Sequence, residues 1–267
     1  MLNVLVCMKV VPKPEEVRIN PETKTIDRSK ARSEINPADM SAIEMALQLK
    51  DKYRAHITLL SMGPPFAEKF LKIGLSMGCD DAVLLTDKAL AGADTLATAY
   101  TLAKAIDKIG KQHIILCGEE SSDGATAQVP PGIAEWLNIA HVTYASSIEV
   151  EFKKKKLIAH RELKNVEEDV TVPLPVVVSV LTAAKKPRFI DFDRKAFIEA
   201  NYKVRILNAK DIDVNPQRIG FTGSPTIVSG LKQLKIRERK KIRVDGSTPD
   251  EKVEKVWTFI KENIFSE

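Results

Sequence analysis

Three short segments hold the residues best suited to chemistry. They are Cys7-Met8-Lys9, Ser61-Met62-Gly63-Pro64-Pro65, and the run from Gly118 to Gln128, which reads GEESSDGATAQ. The chemistry they point to is anion binding rather than bond making. Gly63 and Gly124 remove a Cβ where a backbone must pass close to a ligand. Backbone N–H groups ahead of a helix start suit phosphate. Asp123, Thr126 and Gln128 add side-chain donors and acceptors. The same residues also make ordinary well-capped loops, and the residues alone leave both readings open.

Other chemistries lack their parts. No GxGxxG follows the first apolar run, and there is no GxxxxGK[ST] and no GxSxG. The four histidines, His56, His113, His141 and His160, lie in or beside expected strands, which favours structural roles. Cys7, Cys79 and Cys117 are far apart and form no CxxC pair, which argues against a zinc site and a disulfide framework. A nucleotide site without acid–base machinery fits a cofactor holder, because the cofactor then carries the chemistry.

The elements that must position these segments alternate. Val4 to Val11 is an apolar run, the pattern of a strand buried on both faces. Asn36 and Pro37 suit the N-cap and first position of a helix, and Asp39 favours its first-turn dipole. Met40, Ile43 and Leu47 give that helix one apolar stripe. His56–Leu60 reads as a second strand. Phe66, Phe70, Ile73 and Met77 mark a second helix that stops before Gly78. Ala82–Leu85 follows as a strand, and Leu96, Ala99, Ala103 and Ile106 as a helix. His113–Cys117 is a further strand. Val129, Ile133 and Leu137 mark a helix that tolerates Pro130 and Pro131 only in its first turn. Val142–Tyr144 can supply a fifth strand. This order implies right-handed crossovers and an α/β, doubly wound parallel sheet of Rossmann-like, adenine-nucleotide-binding type. Such sheets bind ligands at the carboxyl ends of their strands, where the three segments fall.

Beyond residue 146 the texture changes. Ile148–Phe152, Leu157–Leu163 and Val172–Leu181 read as strands of a hairpin region, with the four-lysine run 153–156 at a solvated tip. From Lys185 the chain is polar and punctuated, up to an apolar helical stripe of Val253, Val256, Trp257 and Ile260 after Thr248 and Pro249. The expected division is an α/β domain with hairpin extension over 1–184 and an extended C-terminal arm, wrapping a partner, over 185–267. At roughly 150 residues per domain, 267 residues hold one large domain or two small ones. Hydrophobic residues make up 44% and charged residues 29%, which excludes wholesale disorder. A net charge of +5, mixed in sign, does not argue for nucleic acid. No apolar run approaches the ~20 residues of a membrane span. The start reads as a strand rather than a signal peptide, so a reduced, cytoplasmic setting is expected.

Taken in order, VLVCMKVV, NPADMSAIEMALQLKD, LSMGPPFAEKFLKIGLSMGCDDAVLLTD, ADTLATAYTLAKAI, ILCGEESSDGATAQVPPGIAEWL, HRELKNVEEDVTVPLPVVVSV, KKPRF and RIGFTGSPTIV span the chain. This set resembles the small (β) subunit of the electron transfer flavoproteins. The resemblance implies pairing with a larger α subunit that carries its own FAD in a mobile domain. It implies that the α/β domain holds a second adenine nucleotide: structural AMP in conventional members, a second FAD in electron-bifurcating ones. There the FAD takes hydride from NADH and splits the electron pair, and a dehydrogenase or quinone-linked partner receives electrons. By the resemblance, Cys7, Asn36, Met62, Asp123, Gly124, Thr126, Gln128 and Val129 fall on nucleotide contacts. Glu168 falls on a glutamate that meets the α subunit's flavin domain, and Phe192 on the apolar anchor of a loop that grips redox partners.

The third segment separates the two nucleotides. Conventional members resemble D-D-D-C-N-Q-T, with an Asn that this chain replaces by Ala127. Bifurcating members resemble D-G-D-T-A-Q-V-G-P, and D-G-A-T-A-Q-V-P-P is closer to that, differing at Ala125 and Pro130. Small residues there leave room for an isoalloxazine ring, so FAD is expected. The chain is then either non-catalytic alone or the NADH-oxidising flavin subunit of a complex. An ATP-hydrolysing or signalling relative would carry an SGGxDS-like loop after the first strand, where this chain reads CMKVVPK.

Overall fold

Apolar residues face two ways along every central strand, and each face meets its own helix layer. Val4, Val6, Ile57, Leu59, Leu84, Ile114, Leu116, Val176 and Val178 share one core with Ile43, Leu47, Leu71 and Leu75. Leu5, Leu60, Val83, Leu85, Ile115 and Val177 share the other with Tyr100, Leu102, Ile106, Ile133 and Ala134. A strand buried on both faces needs helices on both sides, which is the doubly wound arrangement.

The computed structural model describes residues 1–13, 16, 18–19, 26–27, 32–227 and 242–264. Its elements run β1 (Asn3–Cys7), β2 (Val10–Pro12), β3 (Arg18–Ile19), β4 (Ile26–Asp27), β5 (Ser33–Ile35), α1 (Pro37–Tyr53), β6 (His56–Met62), α2 (Glu68–Met77) and β7 (Asp81–Leu85). Then follow α3 (Thr95–Ile109), β8 (Ile114–Gly118), α4 (Val129–Leu137), β9 (Ala140–Glu151), β10 (Lys156–Leu163), β11 (Val166–Pro173), β12 (Val176–Val180), α5 (Phe192–Asn201), β13 (Arg205–Leu207) and α6 (Pro249–Ile264). The main sheet has nine strands in the order β11-β10-β9-β12-β8-β1-β6-β7-β13. From β12 to β13 every pairing is parallel, and β9 joins β12 in parallel too. Only β9-β10-β11 pair antiparallel, as the expected hairpin region. From β1 the chain steps outward through β6 to β7, and α3 then carries it back to β8 on the other side of β1. Strand order therefore reverses between β1 and β8.

The alternation matches the sequence reading, with local differences. The run Val4–Val11 is not one strand. Met8 N–H still reaches Leu60 O at 2.8 Å, but Lys9 N–H turns to the Asp39 carboxylate at 2.7 Å, and Val10–Pro12 pairs instead with β5. Leu96, placed on the α3 stripe, is half exposed, because α3 packs through Ala99, Tyr100 and Ala103. Phe66 lies in a 3-10 turn before α2 and is also half exposed. Val172–Leu181 is split at Pro173-Leu174-Pro175, since proline cannot donate to a ladder. The four lysines do sit at an exposed hairpin tip, where Lys155 takes a left-handed φ of 51°.

The first compact unit runs Met1–Leu231. Residues 192–207 carry more regular structure than their polar texture implies. α5 needs few buried residues, with Ile198 inside, because Asp191 caps its start and Arg194 closes the end of α2 by donating to Leu75 O and Cys79 O at 2.6 Å each. β13 then extends the sheet beyond β7. The second unit, Lys232–Glu267, contains α6. Glu251 N–H donates to Thr248 Oγ1 at 3.3 Å, capping the helix, and Glu251 Oε2 accepts Ser247 N–H at 2.8 Å, one residue before the cap. Its expected stripe forms, and Val253, Val256 and Trp257 are exposed. Among the described residues no helix is long and apolar enough to cross a membrane.

Candidate nucleotide-binding site

Strand order reverses between β1 and β8, and the carboxyl ends of the strands at such a reversal are the place where sheets of this kind take ligands. Two of the three candidate segments leave from these strands, and the third leaves β6 beside them.

Asp39 ties the two strand ends together. Its Oδ2 accepts Lys9 N–H at 2.7 Å and its Oδ1 accepts Gly118 N–H at 2.9 Å. The residue is buried, and burial pushes its carboxyl up to about 6 against the pull of these donors. Gly118 must be glycine for this contact, since a Cβ there would lie 2.6 Å from Ala38 Cβ and 2.5 Å from Asp39 Oδ1. Asn36 stands at the N-cap of α1 but makes no side-chain cap. Its side chain reaches the third segment instead, donating from Nδ2 to Glu120 O at 2.8 Å and accepting Ser122 N–H at 3.1 Å. The Lys9 ammonium adds a third tie, to Asp123 Oδ1 at 2.5 Å and Ser121 Oγ at 3.1 Å.

These ties hold an unusual backbone. Ala125 N–H folds back to Ser121 O at 2.7 Å, and Ala125 and Ala127 both take left-handed φ, 45° and 54°. Such conformations cost roughly 1–2 kcal/mol for a residue with a Cβ and persist only when the surroundings impose them. The expectation was that Gly124 removes a Cβ where the backbone passes close to a ligand. The left-handed residues of this segment are the two alanines, and a Cβ on Gly124 would meet only Ser121 Oγ at 3.2 Å. Among the described residues, the amides of Thr126, Ala127 and Gln128 donate to nothing in the chain. Val129 begins α4, where a first-turn N–H has no intrahelical acceptor, and Pro130 and Pro131 have none to offer. Gln128 Oε1 accepts the Thr95 hydroxyl at 2.9 Å, which fixes its side chain against the start of α3. Successive free N–H groups in alternating hand form a concavity for an anion. Thr126 and Gln128 are exposed beside it.

The other candidates line up around this rim. Cys7 is the last residue of β1 and is buried. Its neighbour Cys117 on β8 is also buried, and its thiol is pushed well up by the hydrogen bond with Cys7 and by burial, so Cys117 is a packing group rather than a thiolate. Met62 ends β6 half-buried, and Gly63 N–H closes on Leu85 O at 3.0 Å. A Cβ at Gly63 would meet only Ala67 Cβ at 3.6 Å, so the chain itself leaves space there. Ser61 Oγ, one residue earlier, is the only buried side-chain polar atom without a partner among the described residues. A diphosphate and a small apolar contact surface fit this donor set.

Glu168 and Phe192 belong to other elements. Glu168 faces Arg161 across the β10–β11 ladder in a 2.5 Å ion pair, and Arg161 is itself held by Thr143 O at 2.7 Å. Phe192 opens α5 and is 79% exposed, with Phe189 and Phe197 also exposed nearby in sequence. The sequence reading missed Asp39, Lys9 and Thr95 as working parts. Asp39 was legible in part: it precedes Ile43 by one helical turn and so shares the buried stripe.

Residues 23–206 match the family model described as electron transfer flavoprotein domain. The chain is 40% identical over 259 residues to the electron transfer flavoprotein subunit beta of Clostridium acetobutylicum, covering 97% of this chain and 96% of that one. It is 44% identical over 228 residues to the protein of the same name from Thermoanaerobacterium thermosaccharolyticum, covering 85% and 86%. The caffeyl-CoA reductase-Etf complex subunit CarD of Acetobacterium woodii is 38% identical over 229 residues, covering 85% and 86%.

Proposed function

The chain belongs to the electron transfer flavoprotein family as a β subunit, and from that premise we propose that its crevice between β1 and β8 holds FAD and serves electron exchange with the α subunit. Membership implies the α subunit as partner. The observation that carries the FAD site is the row of unpaired amides at Thr126, Ala127 and Gln128.

In this reading those amides and the Val129 N–H bind the diphosphate. Lys9 lends positive charge beside them, and Asn36 keeps the segment in place. Cys7 and Met62 supply apolar contact, and Gly63 and Gly124 leave room for the ligand. Thr126 and Gln128 add side-chain donors at the rim. When bound, FAD would supply hydride acceptance and one-electron exchange, which no side chain of this chain offers. The small residues Gly124, Ala125 and Ala127 support the larger cofactor over AMP, and with it bifurcation of an electron pair from NADH. One relative is named as part of a reductase–Etf complex. By the same arrangement this subunit would work with a dehydrogenase or quinone-linked partner, with Glu168 and Phe192 as docking residues.

The test is to co-express both subunits, extract nucleotides from the purified heterodimer and add NADH. Two FAD per heterodimer and rapid bleaching by NADH are expected. One FAD with one AMP, and no bleaching, refutes the bifurcating reading and leaves a conventional electron carrier.

A further inference from the structure

Asp39 meets the Lys9 and Gly118 amides and the Asn36 side chain, and so controls where two of the loops begin. We infer that Asp39 is a positioning residue whose ionised carboxylate holds the ends of β1 and β8 in the nucleotide-binding arrangement, so that acidification releases the nucleotide. This rests on the reading of the crevice as a nucleotide site.

The geometry is specific. One carboxylate accepts two backbone amides from strands that are neighbours in space, Lys9 N–H at 2.7 Å and Gly118 N–H at 2.9 Å. An ionised carboxylate has acceptors on both oxygens. A protonated one carries a hydrogen on one oxygen and meets one of the two N–H donors poorly. Losing the Lys9 bond frees the backbone of the residue whose ammonium ties Asp123 and Ser121. Losing the Gly118 bond frees the base of the third segment. Either change reaches the amides at 126–128 through the chain itself.

Few groups nearby can titrate in its place. On the β1 side stand the Lys9 ammonium and the Cys7 thiol, and on β8 the Cys117 thiol. Asn36, on the same helix, hydrogen-bonds the carboxylate and carries no charge. β12 and residues 57–62 of β6, which also pack on α1, contain no titratable side chain. The hydrogen bond with Cys7 and burial hold the Cys117 thiol neutral, and Asp39 is the buried carboxyl here that changes between pH 5 and 7. Burial places its carboxyl at about 6. Such a group is about nine-tenths ionised at pH 7 and about one-tenth at pH 5, so affinity should fall about tenfold across that interval.

The experiment uses the α–β heterodimer. Second-site affinity for added FAD and for added AMP is measured by titration calorimetry at pH 5, 6, 7 and 8, for wild type and for Asp39→Asn, with folding followed by circular dichroism. The wild type should lose about tenfold between pH 7 and 5, and Asp39→Asn should bind more weakly with a flat profile for FAD. AMP carries a phosphate that itself titrates near 6, so its residual slope in the Asn variant gives the ligand's own share. Should Asp39→Asn fail to fold, the wild-type FAD profile still decides. A wild-type profile flat for FAD, or an Asn variant with the wild-type slope, overturns the inference alone. A heterodimer that takes up neither nucleotide at any pH overturns the site and this inference with it.

Discussion

Gly118→Ala puts the crevice's construction to a quantitative test. The added methyl would sit 2.6 Å from Ala38 Cβ, 2.8 Å from Ala38 C and 2.5 Å from Asp39 Oδ1. All three belong to the first turn of α1, and the two Ala38 atoms are fixed to its backbone and cannot swing aside as a flexible side chain can. Gly118 lies outside the left-handed region, so alanine meets no backbone strain. The cost is therefore overpacking, about 1–3 kcal/mol. Displacing the carboxylate from Gly118 N–H adds about 1.5–3 kcal/mol for a charge-assisted bond. Stiffening the unfolded chain returns about 0.4–1 kcal/mol. The net is a loss of about 1.5–5.5 kcal/mol, or roughly 3–20 °C in Tm for a unit of this size. The assay is differential scanning calorimetry of the purified protein at fixed nucleotide excess, since bound ligand adds its own stabilisation. Gly63→Ala serves as the paired control. Its methyl meets only Ala67 Cβ at an ordinary 3.6 Å, so Tm without nucleotide should hold, and in nucleotide excess any drop should match the lost ligand stabilisation RT ln(1 + [L]/Kd) alone. A Gly118→Ala protein that melts within about 2 °C of wild type refutes the close packing of α1 on the end of β8.

Three more outcomes follow from the geometry. Arg188 brackets Glu44, which is buried, through Nε at 2.9 Å and Nη2 at 3.0 Å, so Arg188→Ala should destabilise by about 2–3 kcal/mol in urea unfolding, discounted because the arginine is one-third exposed; a change below ~0.5 kcal/mol would show that solvent replaces the guanidinium. The Cys79 and Cys117 thiols should resist alkylation at pH 8 until the protein unfolds, because burial pushes Cys79 up to about 12 and the hydrogen bond with Cys7 together with burial pushes Cys117 well above its usual range; fast labelling of either in the native protein contradicts this. On β10, Asp169 raises the pKa of His160 through a 2.9 Å contact, so imidazolium stabilisation is complete below the ordinary histidine range and fades as pH rises through the raised value. Asp169→Asn should move the His160 titration to lower pH by NMR, and an unmoved midpoint rules the pairing out.

Much of the molecule was legible along the chain. Asn36-Pro37 starts α1 and Gly78 ends α2 where their chemistry says they should. Short all-apolar strands between helical stripes implied a parallel sheet covered on both faces, and the order β12-β8-β1-β6-β7 is one. The segments bearing Cys7, Met62 and Asp123–Val129 were legible too, because loops at the ends of such strands follow from alternation alone. Residues 192–207 were not. α5 buries little, and β13 is a strand of three residues that exists only because β7 offers an edge.

The candidate site divides along the same line. Periodicity, cap residues and turn chemistry act within a few residues, so the chain carries them openly. Asp39 meets Gly118 across 79 positions, Asn36 meets Glu120 across 84, and Lys9 meets Asp123 across 114. No local pattern encodes which distant amide a carboxylate will accept. That choice exists only once α1 has packed against β8 and burial has made every unpaired polar group costly.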